Sequence, residues 1–215
     1  MYKLIAFDWD GTIADSSDVI ADGIAHANKV MGLPPVTRDQ AKFVIGLPLS
    51  EIARIFGNGL RPEQYEEYID HYVSYYVPHE ADVKLFPGML DLLTSLKERG
   101  VKIAIATGKS RKGLKRILDR LGLEEFFDAT ICMDESAPKP NPLMLQMLMK
   151  QFEVSPNETL MVGDTVHDLR TAANAGVRAV AVSYGANKVA DLQKEPHLTI
   201  VGSVEELSQF LGKSL

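Results

Sequence analysis

Leu4-Ile5-Ala6-Phe7-Asp8-Trp9-Asp10-Gly11-Thr12 is the stretch that decides the fold. Four apolar residues in a row, cut off by a charge, describe a strand buried on both faces. The same grammar returns downstream. Val101-Lys102-Ile103-Ala104-Ile105-Ala106, Ala129 to Met133, Leu160 to Val162, Arg178 to Val182 and Leu198 to Val201 read as further strands. Helical patterns fall between them, at about 88–98 before Gly100, about 110–121 before Gly122, Asn141-Pro142 to Phe152, Val166 to Ala175 before Gly176, and Val204 to Leu211. Strands alternating with helices imply right-handed crossovers and an α/β fold, a doubly wound parallel sheet.

The segment after the first strand has another texture. No strand pattern lies between Ile13 and Asp82. Ser17 to Met31 reads as a helix, with Ser16 or Ser17 as cap and Gly32 as stop. Thr37 and Gln40 have capping-box spacing, Pro48-Leu49-Ser50 opens a short segment, and Pro62 suits a first helical turn. From Glu63 to Val77, Tyr65, Tyr68, Ile69, Tyr72, Val73 and Tyr76 recur at spacings of three and four, an amphipathic helix. The expected division is a core of 1–14 and 84–215 carrying an all-helical insert at 15–83. Its hinges are the linkers at Ala14-Asp15 and Asp82 to Phe86.

Of the 215 residues, 46% are hydrophobic and 24% charged, enough apolar material to bury a core, so disorder is excluded as the main state. The balance of 23 − 29 = −6 argues against nucleic acid as a nonspecific partner. No apolar run approaches the ~20 residues of a membrane-spanning helix, and Met1 to Asp8 reaches charge too early for a signal peptide. One cysteine, Cys132, offers no internal disulfide and no metal cluster. The expectation is a cytoplasmic protein without membrane partners. Monomer and homodimer are left equally open.

In an open parallel sheet, ligands bind beyond the carboxyl ends of the strands. Asp8 and Asp10 follow the first strand; Thr107, Gly108 and Lys109 follow the Val101 strand; Lys139 comes after the Met133 strand. Gly163-Asp164-Thr165 follows Leu160 to Val162, with Asp168 one turn on. An aspartate past a buried strand is often only a turn or cap residue, and Gly-Asp-Thr is a serviceable helix cap. Here several carboxylates, a hydroxyl and an ammonium share one edge. Carboxylates so placed repel one another unless a cation intervenes, and an all-oxygen set near phosphate suits Mg²⁺.

These residues resemble four motifs of the haloacid dehalogenase superfamily, in order across the core: Phe7-Asp8-Trp9-Asp10-Gly11-Thr12, Ala106-Thr107-Gly108, Lys139-Pro140 and Val162-Gly163-Asp164-Thr165-Val166-His167-Asp168. The insert, with Asp15-Ser16 following the Asp-Gly-Thr, resembles the helical cap of the phosphoglycolate-phosphatase-like branch. The resemblance implies that Asp8 is the nucleophile forming an aspartyl-phosphate and Asp10 the general acid and base, its carbonyl also ligating Mg²⁺. It implies that Thr107 and the Gly108 amide hold phosphoryl oxygens and that Lys139 offsets charge on nucleophile and substrate. Asp8 and Asp164 would ligate Mg²⁺, with Asp168 acting behind them or through a metal-bound water. The implied reaction is hydrolysis of a small phosphate monoester, phosphoglycolate being the suggested substrate, with sugar phosphates, nucleotides and pyrophosphate as other candidates.

Single residues separate the branches. The dehalogenases lack a counterpart of Asp10, since they have no leaving oxygen to protonate. Phosphonate hydrolases use a cap lysine, but Lys29 and Lys42 have no distinguishing context. A sugar phosphomutase shares the core, though its relatives usually carry another residue at Thr12. A receiver-like signalling module would not place its acceptor beside Asp10 and would give the insert no purpose. A partner-binding scaffold without catalysis is not favoured, because every motif residue is present.

Around the site, Lys109, Arg111 and Lys112 read first as a solvated helix start and second as contacts to a substrate anion. The loop from Phe43 to Leu49 resembles the cap segment that reaches over the site. Arg38, Arg54 and Arg61 read as surface charge, the tyrosine face as helix packing, and Trp9 as packing. His167 receives no catalytic role, and His26, His71, His79 and His197 show no metal spacing.

Overall fold

A computed structural model describes residues 1–57 and 59–214. Six strands form one parallel sheet: β1 (Leu4–Phe7), β4 (Lys102–Thr107), β5 (Ala129–Cys132), β6 (Thr159–Gly163), β7 (Arg178–Val182) and β8 (Thr199–Val201). Their order is β5-β4-β1-β6-β7-β8, so β1 lies centrally and the chain winds outward in both directions. The helices between them are α5 (Met89–Glu98), α6 (Arg111–Leu121), α7 (Leu143–Phe152), α8 (Val166–Asn174) and α9 (Val189–Leu192), with α10 (Val204–Ser214) closing the chain.

The strand alternation sorts two cores. Ile5, Phe7, Ile103, Ile105, Leu160 and Val162 face α5, α6 and α10, packing on Leu93, Leu114 and Leu207. Leu4, Ala6, Ala104, Ala106, Ala179 and Ala181 face α7 and α8, packing on Met144, Leu148 and Leu169. The alanine-rich face leaves less height between sheet and helices, and methionines fill the irregular space. Register fixes where the chemistry emerges. Phe7 lies opposite both Ile105 and Val162, so Asp8 stands level with Ala106 and Gly163, and Thr107 comes one residue further along its strand.

The segment after β1 is helical as expected: α1 (Ser17–Val30), α2 (Arg38–Phe43), α3 (Leu49–Phe56) and α4 (Tyr65–His79). Thr37 and Gln40 make the anticipated capping box. These helices share a core of Ile20, Ile24, Ile45, Ile52, Tyr68 and Tyr72, separate from those on the sheet. One expectation fails. Strand structure does occur between Ile13 and Asp82, because β2 (Ala14–Asp15) pairs antiparallel with β3 (Lys84–Leu85). Two residues cannot show a period, so the ribbon arises from two chain crossings lying side by side, which no local pattern records. Among the described residues, no helix is long and apolar enough to cross a membrane.

Beside the ribbon, Arg116 on α6 forks onto the buried Glu80 carboxylate, with Nε at 2.6 Å and Nη2 at 2.9 Å. Removing the guanidinium strands a buried charge. Because Arg116 is 36% exposed, the cost falls below the ~3–5 kcal/mol of a fully buried pair. Arg116→Met is expected to lower unfolding free energy by about 2 kcal/mol in urea titration, with Glu80→Gln in that background recovering part of it. An unchanged midpoint would mean that water already solvates Glu80.

Candidate active site

Asp8 is the first residue beyond β1, still tied to the ladder by its N–H, which donates to the Val162 carbonyl at 2.9 Å. Its carboxylate is buried. Oδ1 accepts from Lys139 Nζ at 2.8 Å, and the same ammonium donates to Asp168 Oδ1 at 2.5 Å. Asp168 spends Oδ2 on Thr165, taking its N–H at 3.0 Å and its hydroxyl at 2.7 Å. Thr165 and Asp168 also form the capping box of α8. The cap and site readings of this motif therefore describe one arrangement. Asp164 accepts from the Thr12 hydroxyl and from the Ala186 N–H, each at 2.7 Å. Gly11, at φ +82°, packs so close to it that a Cβ there would overlap the Asp164 carboxylate. Thr107 is buried at the end of β4, its hydroxyl accepting from the Lys109 N–H at 3.1 Å.

Asp10 lies in a second group. Its Oδ1 accepts from the Ser16 hydroxyl at 2.7 Å and sits 3.2 Å from Lys109 Nζ. Ser16 occupies the cap position of α1, but its hydroxyl serves Asp10 instead of the helix. The expected solvated helix start is overturned at Lys109, whose side chain keeps only 9% of its exposure. Its ammonium donates to the Tyr76 hydroxyl at 3.2 Å and lies 4.8 Å from that ring's centroid. Helix α4 brings Tyr76 over Lys109, just ahead of α6, and nothing local to Lys109 announces that contact. Arg111 and Lys112 do not join the site: Arg111 binds Glu135 and Thr130, and Lys112 is exposed. Arg38 pairs with Asp18 and Asp22, and Arg54 with Glu51, at the surface; Arg61 is exposed. Trp9 is fully buried and packs edge-on to Phe127.

The 43–49 loop presses on the motif after β4. A Cβ on Gly108 would overlap the Gly46 carbonyl, and Thr165 lies on the other side of Gly46. A cleft of about 450 Å³ opens elsewhere, between Phe43, Ile55 and Phe56 on one wall and Ala186 to Lys188 on the other. It touches the carboxylates only through the segment that holds Asp164.

The charges do not balance. Asp8, Asp10, Asp164 and Asp168 are all buried, against the ammoniums of Lys139 and Lys109, an excess of 4 − 2 = 2 negative charges. Burial drives the Asp8 carboxyl up from its ordinary value; Asp168 and Asp10 add to this, and Lys139 opposes it. Asp164 is raised well above the usual range by burial, then by Asp168 and Asp8. Burial pulls Lys139 down, but Asp168 and Asp8 more than reverse this and raise it. One oxygen, Asp8 Oδ2, is buried with no donor. Oxygens of Asp8, Asp164 and Asp168 lie within 4.8 Å of one another. An oxygen-only donor set, an orphaned oxygen and two uncompensated charges fit one divalent cation of the Mg²⁺ kind.

Residues 5–182 match the family described as haloacid dehalogenase-like hydrolase. The chain belongs to that family. It is accordingly a hydrolase of the phosphatase type. Among its relatives is a probable phosphatase, IndB of Dickeya dadantii, 31% identical over 96% of this chain and 92% of that protein. A phosphoglycolate phosphatase of Vibrio vulnificus is 33% identical over 86% and 85% of the two chains. A haloacid dehalogenase-like hydrolase from Bacteroides fragilis superposes with a TM-score of 0.88 at 30% identity, covering 96% of this chain and all of that one.

Within this haloacid dehalogenase-like frame, the structure brings Asp8, Asp10, Thr107, Gly108, Lys139, Asp164 and Asp168 to one edge, as their strand-end positions anticipate. Sequence reasoning missed the segment after β7. There Ala186 N–H holds Asp164, Asn187 Oδ1 accepts from the Val166 N–H at 3.0 Å, and the Tyr184 hydroxyl donates to the Thr12 carbonyl at 3.2 Å. Its available signal was position, since it follows a strand end like the other motifs. Backbone meets backbone at Gly108, so Gly108→Ala must push the 43–49 loop off the core. Turnover is expected to fall about 100-fold, the order a misplacement of ~1 Å costs, with little change in unfolding midpoint. Unchanged turnover would mean that the loop stands away from Gly108 during reaction.

Proposed function

We propose that the chain is a Mg²⁺-dependent phosphatase that hydrolyses a small phosphate monoester through an aspartyl-phosphate on Asp8. The observation that carries the reading is the Asp8 carboxylate, held on one oxygen by Lys139 and lacking any donor on the other. A buried carboxylate fixed at a strand end keeps its orientation without solvent, as a nucleophile requires. Asp8 attacks phosphorus and the P–O bond to the leaving group breaks. Asp10, two residues on, delivers a proton to the departing oxygen. It then takes a proton from the water that cleaves the acyl phosphate, releasing phosphate and restoring Asp8. Thr107 and the Gly108 N–H receive the phosphoryl oxygens, and Lys139 offsets charge shared by Asp8 and the phosphoryl group.

The residues that would hold Mg²⁺ are Asp8, the Asp10 carbonyl and Asp164, with Asp168 supporting through Lys139 and Thr165; bound there, the ion would screen the carboxylates from the phosphoryl charge. The helices of 15–83 serve as a cap on the core of 1–14 and 84–215, and the β2–β3 ribbon is the hinge on which they open for substrate. The partner is a small phosphorylated metabolite, for which the phosphoglycolate phosphatase relative suggests phosphoglycolate. A reducing compartment, the cytoplasm, suits a chain with one buried thiol.

Phosphate release from phosphoglycolate, a sugar phosphate, a nucleoside monophosphate and pyrophosphate tests the reading. Wild type is expected to turn over at least one of these with Mg²⁺ and none with a chelator. Asp8→Asn should lose at least about 10³-fold, and Asp10→Ala about 10²–10⁴-fold. Activity surviving in Asp8→Asn would remove the nucleophile and the reading with it.

A further inference from the structure

The two carboxylate oxygens of Asp10 stand in unequal surroundings. Oδ1 takes the Ser16 hydroxyl at 2.7 Å and lies 3.2 Å from Lys109 Nζ. Among the described residues nothing donates to Oδ2, and the side chain keeps 10% of its exposure. Lys109 is itself closely held. Its N–H donates to Thr107 Oγ1 at 3.1 Å and its carbonyl accepts from the Met133 N–H at 3.2 Å, which ties its backbone to the ends of β4 and β5. Its ammonium donates to the Tyr76 hydroxyl at 3.2 Å, and Tyr76 is buried with Tyr72 stacked on it. Just past α4, Glu80 anchors that helix to Arg116.

We propose that Lys109 is a positioning residue for Asp10. With Ser16 it holds Oδ1, which leaves Oδ2 as the oxygen that gives and takes the proton, and Tyr76 of the helical insert keeps Lys109 in that place. The inference rests on the reading of Asp10 as general acid and base. A carboxyl group turns about its Cβ–Cγ bond, and that torsion is broad in an unrestrained aspartate. Two partners on one oxygen remove the freedom. They also decide where a proton sits, because an oxygen facing two donor groups is the carbonyl oxygen of the acid form and the other oxygen is its hydroxyl. The proton on Oδ2 is then the one given to the departing oxygen, and Oδ2 takes the proton of the attacking water afterwards. Lys109 itself touches no reacting atom. Its counter-charge is Asp10, which accounts for an ammonium held out of water at this place.

The test is release of the leaving group in a first turnover, followed by rapid quench in Mg²⁺ with enzyme in excess. The best substrate of the panel above is compared with an activated compound, acetyl phosphate or 2,4-dinitrophenyl phosphate, whose leaving group departs without needing a proton. Asp10→Ala is the reference, expected to slow the panel substrate about 10²–10⁴-fold and the activated compound at least about tenfold less. Lys109→Met should repeat the pattern, with a loss of about 100-fold on the panel substrate, the order a misplaced group costs, and at least about tenfold less on the activated one. Tyr76→Phe keeps the ring and removes only the hydroxyl. It should shift the two rates the same way by a smaller factor, and it carries the comparison if Lys109→Met does not fold. A lysine that serves packing alone would lower both rates equally; that result, or unchanged rates, overturns the proposal. Equal losses in Asp10→Ala would instead remove Asp10 as the acid, and failure of wild type on either kind of compound would sink the aspartyl-phosphate reading. Each of these takes the inference about Lys109 with it.

Discussion

Lys139 stands with no exposed surface between two carboxylates, Asp8 and Asp168, and the rest of the site is arranged around that contact. An ammonium in such a place survives only because two anions flank it, and the anions survive only because it is there. Each carboxylate is then secured from behind. Asp168 is fixed by Thr165 at the start of α8, and Asp164 by Thr12 and the Ala186 N–H. Elements distant in sequence are held in register by hydrogen bonds to charge. Two negative charges stay uncompensated all the same. A fold aimed only at stability would have no reason to keep them.

The same logic runs through the seam with the helical insert. Asp10 is bound by Ser16 from one side and Lys109 from the other, and Lys109 is in turn roofed by Tyr76. Gly108 and Gly46 touch backbone to backbone. The insert therefore meets the core at two points beside the site, at Gly108 through Gly46 and at Lys109 through Tyr76. The large cleft beside Phe43 and Ile55 lies off this line, and its volume says little about where chemistry happens.

The sheet was legible because its strands are short, apolar and cut off by charge; the registers of Phe7 with Ile105 and Val162 come only from the fold. The motif residues were legible because each follows a strand end. Lys109 was misjudged for a physical reason. Three basic residues within four positions at a helix start look solvated, and burial of one of them depends on Tyr76, 33 positions away. The β2–β3 ribbon and the 184–187 segment were hidden in the same way. Their roles come from long-range backbone contacts, and Ala186 contributes only an N–H that every residue but proline possesses. Local pattern reports what a residue can do, and tertiary contact decides whether it is asked to.

The central claim is that the unbalanced carboxylate cluster is a divalent-cation site. Calorimetric titration of Mg²⁺ into wild type and Asp164→Asn at neutral pH tests it most directly. The account predicts one Mg²⁺ per chain for wild type and no measurable binding for Asp164→Asn, with the variant still folded by circular dichroism. Equal binding by the two proteins, or none by wild type, would contradict it.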